Sequence, residues 1–296
     1  MSREAAPGIR EDGSGRAILS QGRRRVSLVG LLLALLATLA VTTAHGAGLP
    51  PDMGRILERG ELTVALHRDD APPFFATGAG GELDGLDVAL ARSIAASLGV
   101  KVRFLREGAT YDQVVDTVAR GEADVAISLI SRTLPRAQRV RFTVPYATLR
   151  QALLLNRLRT VALYLGSDPM PGLNQPGVRV GAVAGSAYLG FAREAFPSAE
   201  VVACESWEEA VADLIDGRLH ALLYDEIEVR RWQQEHPEAS LYVRATILET
   251  RKDYIAMVVN WRDTHWLAWL DLYLATAAET GALERLRQRY LKDESR

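Results

Sequence analysis

Residues 121–136 read GEADVAISLISRTLPR, and this stretch decides how the rest of the chain is interpreted. The apolar run at 124–127 follows an amphipathic segment that ends at a glycine, which predicts a buried strand entered from a helix. Three hydroxyl residues come directly after the strand: Ser128, Ser131 and Thr133. Small ligands bind at the carboxyl ends of strands in open α/β sheets, so we expect these hydroxyls at the rim of a cleft.

Arg136 is the sharpest feature of the stretch. Pro135 is typical of the first position of a helix, and a cation in a first turn gains nothing from the helix dipole. Arg136 should therefore need an anionic partner. A guanidinium beside hydroxyls suits a small carboxylate bound bidentately, and a structural Asp or Glu is the alternative partner.

The composition indicates an ordinary globular protein. The 296 residues allow roughly two domains, and 48% of them are hydrophobic. The 35 basic and 37 acidic residues give no footprint for nucleic acid. Cys204 is the only cysteine, which excludes an intrachain disulfide, makes a zinc site improbable and predicts a small buried side chain.

The amino terminus has the pattern of an export signal. Residues 1–22 lack periodicity and are interpreted as a disordered leader, and 23–47 hold three arginines, an apolar run at 26–41 and a small-residue exit. This order predicts a signal peptide that is cleaved near residue 46 or 47, hence a mildly acidic periplasmic protein. An uncleaved membrane anchor is the alternative.

Strands and helices alternate after residue 50. A strand at 62–66 runs into a loop with two acids and two prolines, and an amphipathic helix at 87–98 stops at Gly99 before a strand at 101–105. The glycines at 78–85 do not fit a dinucleotide fingerprint, and we expect no cofactor.

An internal repeat predicts two similar lobes. Tyr111, an amphipathic helix, Gly121 and an apolar strand recur 96 residues later as Trp207, a helix, Gly217 and a strand. Such alternation predicts parallel sheets with helices on both faces.

Two further polar positions follow strands of the second half. Gly185 and Ser186 come after a strand at 178–183 and offer an amide and a hydroxyl to an anion, or a simple helix cap. Asp225 follows the second strand of the repeat. It is suited to hold an ammonium, or to cap the helix that begins near Ile227.

Several short motifs occur in a fixed order, and the ordered set is specific although no single motif is. They are the Pro-Pro-Phe loop at 72–74, GLDV at 85–88, GEAD at 121–124, TLPR at 133–136, FTVPY at 142–146, GAVAGS at 181–186 and GRL at 217–219. The set resembles the extracellular solute-binding proteins of family 3, which deliver polar amino acids to ABC importers. The resemblance covers nearly all of residues 55–292.

The resemblance implies an α/β fold of two Rossmann-like lobes with mostly parallel central sheets, the type II periplasmic binding protein. Lobe 1 is expected at 53–148 plus 252–292, lobe 2 at 152–248, and the two hinge strands near 147–153 and 247–254. The implied function is capture of an amino acid by lobe closure and its delivery to an inner-membrane ABC permease. A monomer without catalysis is expected.

The resemblance also implies roles for the site residues. Thr133 and Arg136 would bind the ligand α-carboxylate, and Asp225 would take the α-ammonium. The other implied contacts are Ser186 and the amide beside Gly185 for the carboxylate, Ser128 and Ser131 as polar groups, and Tyr111 as a ring against the ligand.

Departures from the family pattern bear on the ligand. Ala71 replaces the aromatic residue of basic amino-acid binders, and Arg68 replaces their acidic residue, so the loop is similar to that of glutamate/aspartate-binding members. Because Arg68 would repel a cation, an acidic or neutral amino acid is expected. A hydroxyl position is Ala187, and a second arginine of acidic binders is Val114, which weakens this expectation.

Two other functions stay open at this point. Some relatives of the fold are cyclohexadienyl dehydratases, whose chemistry needs an acid or base in the cleft, and three acids are candidates: Glu205, Asp69 and Asp70. An anchored ligand-sensing module is favoured if residues 26–41 stay attached.

Overall fold

Two five-stranded sheets, each covered by helices on both faces, form the fold of the computed structural model, which describes residues 48–163 and 168–291. The predicted leader at 1–22 and signal at 23–47 lie outside these residues. Within the described ranges no helix is both long and apolar enough to cross a membrane.

The first sheet has the strand order β4-β1-β5-β12-β6. Its strands are β1 (Glu61–His67), β4 (Lys101–Gly108), β5 (Val125–Ala126), β6 (Val140–Phe142) and β12 (Val258–Asn260). β1 pairs in parallel with β4 and β5, whereas β12 is antiparallel to β5 and β6. A small hairpin, β2 (Ala76–Thr77) with β3 (Leu83–Asp84), follows β1.

Six helices pack on this sheet. The sheet and these helices together are called lobe 1. They are α1 (Pro51–Arg59), α2 (Leu86–Leu98), α3 (Tyr111–Ala119), α4 (Leu134–Ala137), α10 (Thr264–Glu279) and α11 (Ala282–Leu291). One face of the sheet carries the larger apolar core around the fully buried Trp266, and the other packs Val115 and Val118 of α3. Gly60 and Gly99 end α1 and α2 in the left-handed conformation, with φ of 67° and 69°.

The second sheet has the order β11-β7-β10-β8-β9 and, with its helices, forms lobe 2. Its strands are β7 (Ala147–Asn156), β8 (Arg179–Val183), β9 (Glu200–Cys204), β10 (Ala221–Asp225) and β11 (Val243–Ile255). Its helices are α5 (Arg157–Thr160), α6 (Met170–Leu173), α7 (Ala187–Ala195), α8 (Trp207–Ile215), α9 (Glu226–Glu235) and a 3₁₀ turn, Pro237–Leu241. β8 is parallel to β9 and β10, while β7 is antiparallel to β10 and β11.

Strands β7 and β11 connect the lobes. They pair along their whole length, and the end of β11 reaches lobe 1, where the Arg132 N–H donates to the carbonyl of Tyr254 at 2.8 Å. The register shifts between Leu248 and Lys252. The predicted fold class is confirmed, and both sheets are mixed. β7 and β11 make the antiparallel pairs of the second sheet, and β12 makes those of the first. The exact lobe boundaries stay predictions.

The repeat predicted from the sequence has a structural counterpart. Helices α3 and α8 begin after Thr110 and Ser206, whose hydroxyls accept the N–H three residues on. Each helix leads through a glycine into a buried strand, β5 or β10. Cys204 is buried, as predicted, and burial raises its pKa to about 11.

The helix α10 is capped by a residue distant in sequence. Asp263 precedes the helix, but its side chain binds Arg55 at 2.9 Å and makes no capping bond. Instead Asp52 Oδ2 accepts the N–H groups of His265 at 2.9 Å and Trp266 at 3.0 Å. Asp263 occupies the N-cap position, but the carboxylate of α1 reaches the first amides of the helix across the core.

Replacing Asp52 by Ala should therefore destabilise the protein, because two helix N–H groups lose their acceptor. We expect the free energy of unfolding to fall by about 1–2 kcal/mol in urea titrations. Glu58→Ala, on the exposed side of the same helix, is the control and should stay within about 0.5 kcal/mol of the parent. Equal effects of the two substitutions would contradict this account of the cap.

Candidate functional site

A cavity of about 530 Å³ lies between the two lobes. We call it the outer cavity. Lobe 1 contributes the loop after β1 and the start of α3, and lobe 2 contributes the starts of α8 and α9. The wall thus comes from the carboxyl ends of strands in both sheets, which is where α/β sheets bind small ligands.

The wall of the outer cavity is acidic. Six carboxylates line it: Asp69, Asp70, Glu205, Glu208, Asp225 and Glu228. Arg231 is the only Lys or Arg in this lining within the described residues, and its guanidinium donates to Glu228. His67 also lines the cavity, and burial lowers its pKa, so it adds little positive charge at neutral pH.

A second, inner cavity of about 10 Å³ adjoins the first. The two share four lining residues: Tyr111, Leu129, Tyr224 and Asp225. Behind them the inner cavity is polar, and it is lined by Arg136, Asp253, Ser131, Ser186 and Tyr188. The inner cavity therefore brings together a cation and two carboxylates from both lobes and the connecting strands.

Arg136 lies in the inner cavity and is only 3% exposed. Its Nε–H donates to Asp112 at 2.9 Å, Nη1 to the carbonyl of Ser131 at 3.1 Å and Nη2 to the carbonyl of Gly185 at 3.4 Å. Asp112 is thus a structural acid that pairs with Arg136, and the question is whether the guanidinium can also bind a ligand carboxylate. A guanidinium has five N–H groups, so two, one on each terminal nitrogen, have no bond to a described residue.

Asp225 also lies where the sequence placed it, at the wall of both cavities. Its Oδ1 accepts the N–H of Glu228 at 2.8 Å, so it caps α9. The pKa of Asp225 is raised to about 7, mainly by burial and also by the nearby charges of Glu228 and Asp253, while the helix amides oppose the shift.

The three hydroxyls after β5 separate into different environments. Ser131 lines the inner cavity and donates to Asp253 at 2.8 Å. Ser128 is buried and accepts the N–H of His67 at 2.8 Å, so it joins strands rather than lining either cavity. Thr133 caps α4 and accepts the Arg136 N–H at 3.5 Å, again away from the lining of both cavities.

The turn after β8 contacts lobe 1 directly. Gly185 has φ of 70°, and its carbonyl accepts the Asp112 N–H at 3.1 Å as well as the Arg136 side chain. Ser186 caps α7 by accepting the Tyr188 N–H at 3.2 Å, and it lines the inner cavity. The turn thus contributes the Gly185 carbonyl as an acceptor for N–H donors of lobe 1.

Aromatic rings from both halves of the repeat face the outer cavity. Tyr111 packs against His67 in a tilted arrangement with a centroid distance of 4.8 Å, and Trp207 packs on Tyr224 at 4.9 Å. Burial raises the pKa of Tyr111 and Tyr224, which keeps both phenols protonated. Trp207 was not among the predicted site residues, although its equivalence to Tyr111 in the repeat could have identified it.

Arg68 does not line either cavity. Its side chain is 60% exposed and lies 3.4 Å from Asp69, while its carbonyl is held by Arg106. The sequence predicted Arg68 as a ligand contact. The structure places it outside because the backbone bond to Arg106 turns the loop so that its acids, Asp69 and Asp70, face the cavity instead.

Asp253 is the polar residue that sequence reasoning missed. It is 2% exposed, and Oδ2 accepts bonds from Ser131 and from the hydroxyl of Tyr188 at 3.1 Å. Burial raises its pKa. The sequence signal was weak, because Asp253 stands in a charged run, Arg251-Lys252-Asp253, that is typical of an exposed edge.

Leu129 separates the two cavities in a strained conformation. Its φ is 51°, and its N–H donates to Asp87 Oδ2 at 2.7 Å. Asp87 is fully buried, and its other oxygen accepts the Tyr146 hydroxyl at 2.7 Å. Burial raises the pKa of Asp87 to about 7. The carboxyl group therefore fixes the loop that carries Ser128 and Ser131. In the described part of the chain, no group of three His, Cys, Asp or Glu residues is arranged to hold a metal ion.

Comparison with known proteins identifies the family. Residues 62–293 match the bacterial extracellular solute-binding proteins, family 3. This chain belongs to that family. The match covers both lobes and the connecting strands, so the resemblance read from the ordered motifs is confirmed.

Relatives of this family 3 protein differ in what they are named for. It is 26% identical to a cyclohexadienyl dehydratase of Pseudomonas aeruginosa over 88% of this chain and 91% of that protein. It is 24% identical to the ABC transporter arginine-binding protein 1 of Escherichia coli over 56% of this chain and 64% of that protein. A similar solved structure is the amino acid ABC transporter substrate-binding protein AbpA of Streptococcus pneumoniae bound to L-arginine. It is 26% identical with a TM-score of 0.66, and the match covers 82% of this chain and 99% of that one.

The raised pKa of Asp225 predicts a pH dependence of stability. The folded protein keeps this proton up to about pH 7, whereas an ordinary Asp loses it near pH 4 in the unfolded chain. The folded state binds more protons in this window, so stability should fall as pH rises from about 4 to about 7. Asp225→Asn keeps a capping oxygen and cannot titrate.

Urea unfolding at each pH should show that the free energy of unfolding falls less steeply in Asp225→Asn than in the parent. The two slopes should differ by up to one proton, or about 1.4 kcal/mol per pH unit. The remaining slope should include the contribution of Asp87, whose pKa is also raised to about 7. Identical slopes in the variant and the parent would contradict a raised pKa at Asp225.

The turn at Gly185 should be intolerant of a side chain. A Cβ there would lie 2.6 Å from the Cβ of Thr110 in the other lobe, at a φ that favours glycine. Gly185→Ala should lower the melting temperature and increase the radius of gyration in small-angle scattering, because the lobes separate. Gly190→Ala, where a Cβ meets no atom within 4 Å, should leave the radius unchanged.

Proposed function

We propose that this family 3 protein captures an amino acid between its lobes and delivers it to an ABC importer. The observation that carries the proposal is the outer cavity, whose wall comes from both lobes and adjoins the buried Arg136. A ligand that contacts both walls binds the closed arrangement more tightly than an open one, and so favours closure. The transporter-associated relatives support the delivery step.

Arg136 is the proposed anchor for the α-carboxylate. The two N–H groups that it does not share with Asp112, Ser131 and Gly185 lie one on each terminal nitrogen, a distribution that suits two carboxylate oxygens. Because the inner cavity measures only about 10 Å³, entry of a carboxylate requires the walls to move apart first. Ligand entry and lobe movement are therefore coupled.

The charge of the wall favours a ligand with no net negative charge. Asp70 is balanced by Arg106 and Glu228 by Arg231, but Glu205 and Glu208 pair with no cation among the described residues. Arg68, on which the expectation of an acidic ligand rested, is outside the lining. A neutral or cationic amino acid is therefore proposed in place of glutamate or aspartate. Its side chain would lie among the aromatic rings and the unbalanced acids of the outer cavity.

The setting of this function is also proposed. The protein acts outside the cytoplasmic membrane, as its family does, after export by residues 23–47. It acts as a monomer that docks on an inner-membrane permease. Sequencing the amino terminus of the exported protein decides between a cleaved signal and a retained anchor.

A thermal-shift screen with the twenty amino acids tests the proposal directly. A bound amino acid should raise the melting temperature, because it stabilises the folded state by RT ln(1 + [L]/Kd). Calorimetry then gives the affinity of each positive compound. No shift and no binding heat with any of the twenty would overturn the proposal.

Arg136→Ala should weaken binding of the amino acid found in this screen by at least a hundredfold in calorimetry, because a buried charge-assisted contact to its carboxylate is lost. Arg139→Ala is the matched control. Arg139 is half-exposed, lies close to Arg136 in the sequence and pairs with Asp116. Its removal should leave the affinity within twofold of the parent value. Comparable losses in both variants would argue for a general structural effect.

A second candidate function is an elimination reaction on the same fold. The cyclohexadienyl dehydratase relative aligns along nearly the whole chain, and Asp225 at the cavity wall has a pKa near neutrality. A carboxyl group with such a pKa is suited to general acid catalysis. Turnover of prephenate by the parent and its loss in Asp225→Asn would favour this function over binding alone.

A further inference from the structure

Asp253 occupies a position that touches both lobes. It belongs to β11, one of the two connecting strands, and its Oδ2 accepts hydroxyl donors from Ser131 of lobe 1 and Tyr188 of lobe 2. The carboxylate is almost completely buried at the wall of the inner cavity. Its location is therefore fixed by three elements that meet at the cleft.

The other oxygen of this carboxylate has no partner in the part of the chain that the structure describes. Oδ1 is buried and makes no hydrogen bond to any described residue. An acceptor that is removed from water and left unsatisfied is unfavourable, so such atoms usually mark a site where something else donates. Asp253 lines the inner cavity together with Arg136, two of whose N–H groups make no bond to a described residue.

Asp225 differs from Asp253 in how its oxygens are used. Oδ1 of Asp225 accepts the N–H of Glu228 at 2.8 Å, so this oxygen caps α9. Asp253 has no comparable helix to cap, since it lies within a strand. The two carboxylates at the inner cavity are therefore not equivalent acceptors for a ligand.

We propose that Asp253 Oδ1 accepts the ammonium group of the bound amino acid, in place of Asp225. The proposal rests on the function proposed above, because it assumes a zwitterion whose carboxylate is bound by Arg136. An ammonium has three N–H donors and a positive charge. It would satisfy the unpaired oxygen and offset a buried negative charge at the same time.

The proposal has a defined consequence for specificity. Carboxylic acids that lack the amine should bind much more weakly, since they would leave Asp253 Oδ1 unsatisfied and bring no positive charge to offset that of the carboxylate. A bridging water is the competing occupant, because a space of about 10 Å³ approaches the volume that a water needs. A water would make binding indifferent to the ligand amine at this position.

The test compares amino acids with their amine-free counterparts. Each of the twenty L-amino acids that binds the parent in calorimetry is paired with the carboxylic acid of the same skeleton, such as 5-guanidinopentanoate for arginine. The parent should prefer the amino acid by at least a hundredfold. Asp253→Asn keeps an oxygen for Ser131 and Tyr188 but places an amide near the ligand, and it should reduce this preference at least tenfold.

Two further variants sharpen the result. Asp225→Asn should reduce the preference less than Asp253→Asn does. Glu249→Gln removes a charge that is 70% exposed on the same strand and should leave the preference unchanged. An undiminished preference in Asp253→Asn, or a loss confined to Asp225→Asn, would overturn the proposal.

The outcomes separate this proposal from the proposed function. If the parent binds none of the twenty amino acids, the function itself fails and the role of Asp253 fails with it. If the parent binds and Asp253→Asn discriminates as the parent does, only the role of Asp253 fails. Should Asp253→Asn not fold, a crystal structure of the unaltered protein with the amino acid decides. The ammonium nitrogen must then lie within hydrogen-bond distance of Asp253 Oδ1.

Discussion

A guanidinium held between the lobes is the interaction on which the arrangement of the site depends. Arg136 is buried, and a buried cation is stable only when its donors are matched by acceptors. Asp112 of α3, the carbonyl of Ser131 and the carbonyl of Gly185 in the other lobe provide them. The position of the helix, the loop after β5 and the turn after β8 are thereby fixed relative to one charge.

Burial also determines the chemistry of the acids around this charge. The pKa values of Asp225, Glu228 and Asp253 are all raised, with burial as the largest cause. Removing carboxylates from water stores an unfavourable free energy that a cationic group can relieve. The cleft is consequently most favourable to a positively charged donor when it is closed, which links the sign of the ligand charge to the movement of the lobes.

The sequence predicted the parts of the structure that are specified locally. A glycine after an amphipathic segment predicted the end of α2, and the repeat predicted the equivalence of α3 and α8. Arg136 and Asp225 were predicted at the cleft because both follow strand ends, although the sequence could not show that Asp112 and the α9 amides would bond to them. Asp253 and the Asp52 cap depend on contacts between distant segments, which local patterns do not encode. Arg68 was misplaced because a loop's direction depends on tertiary bonds such as that from Arg106.

The single thiol has a practical consequence. Cys204 is buried at the end of β9, and its pKa of about 11 leaves almost no thiolate at neutral pH. Maleimide and iodoacetamide reagents act on the thiolate, so Cys204 of the native protein should hardly be labelled by them. A cysteine introduced on the cleft rim would accept a fluorophore selectively with the natural residue left in place, and the dye's emission would then follow the lobes as they approach.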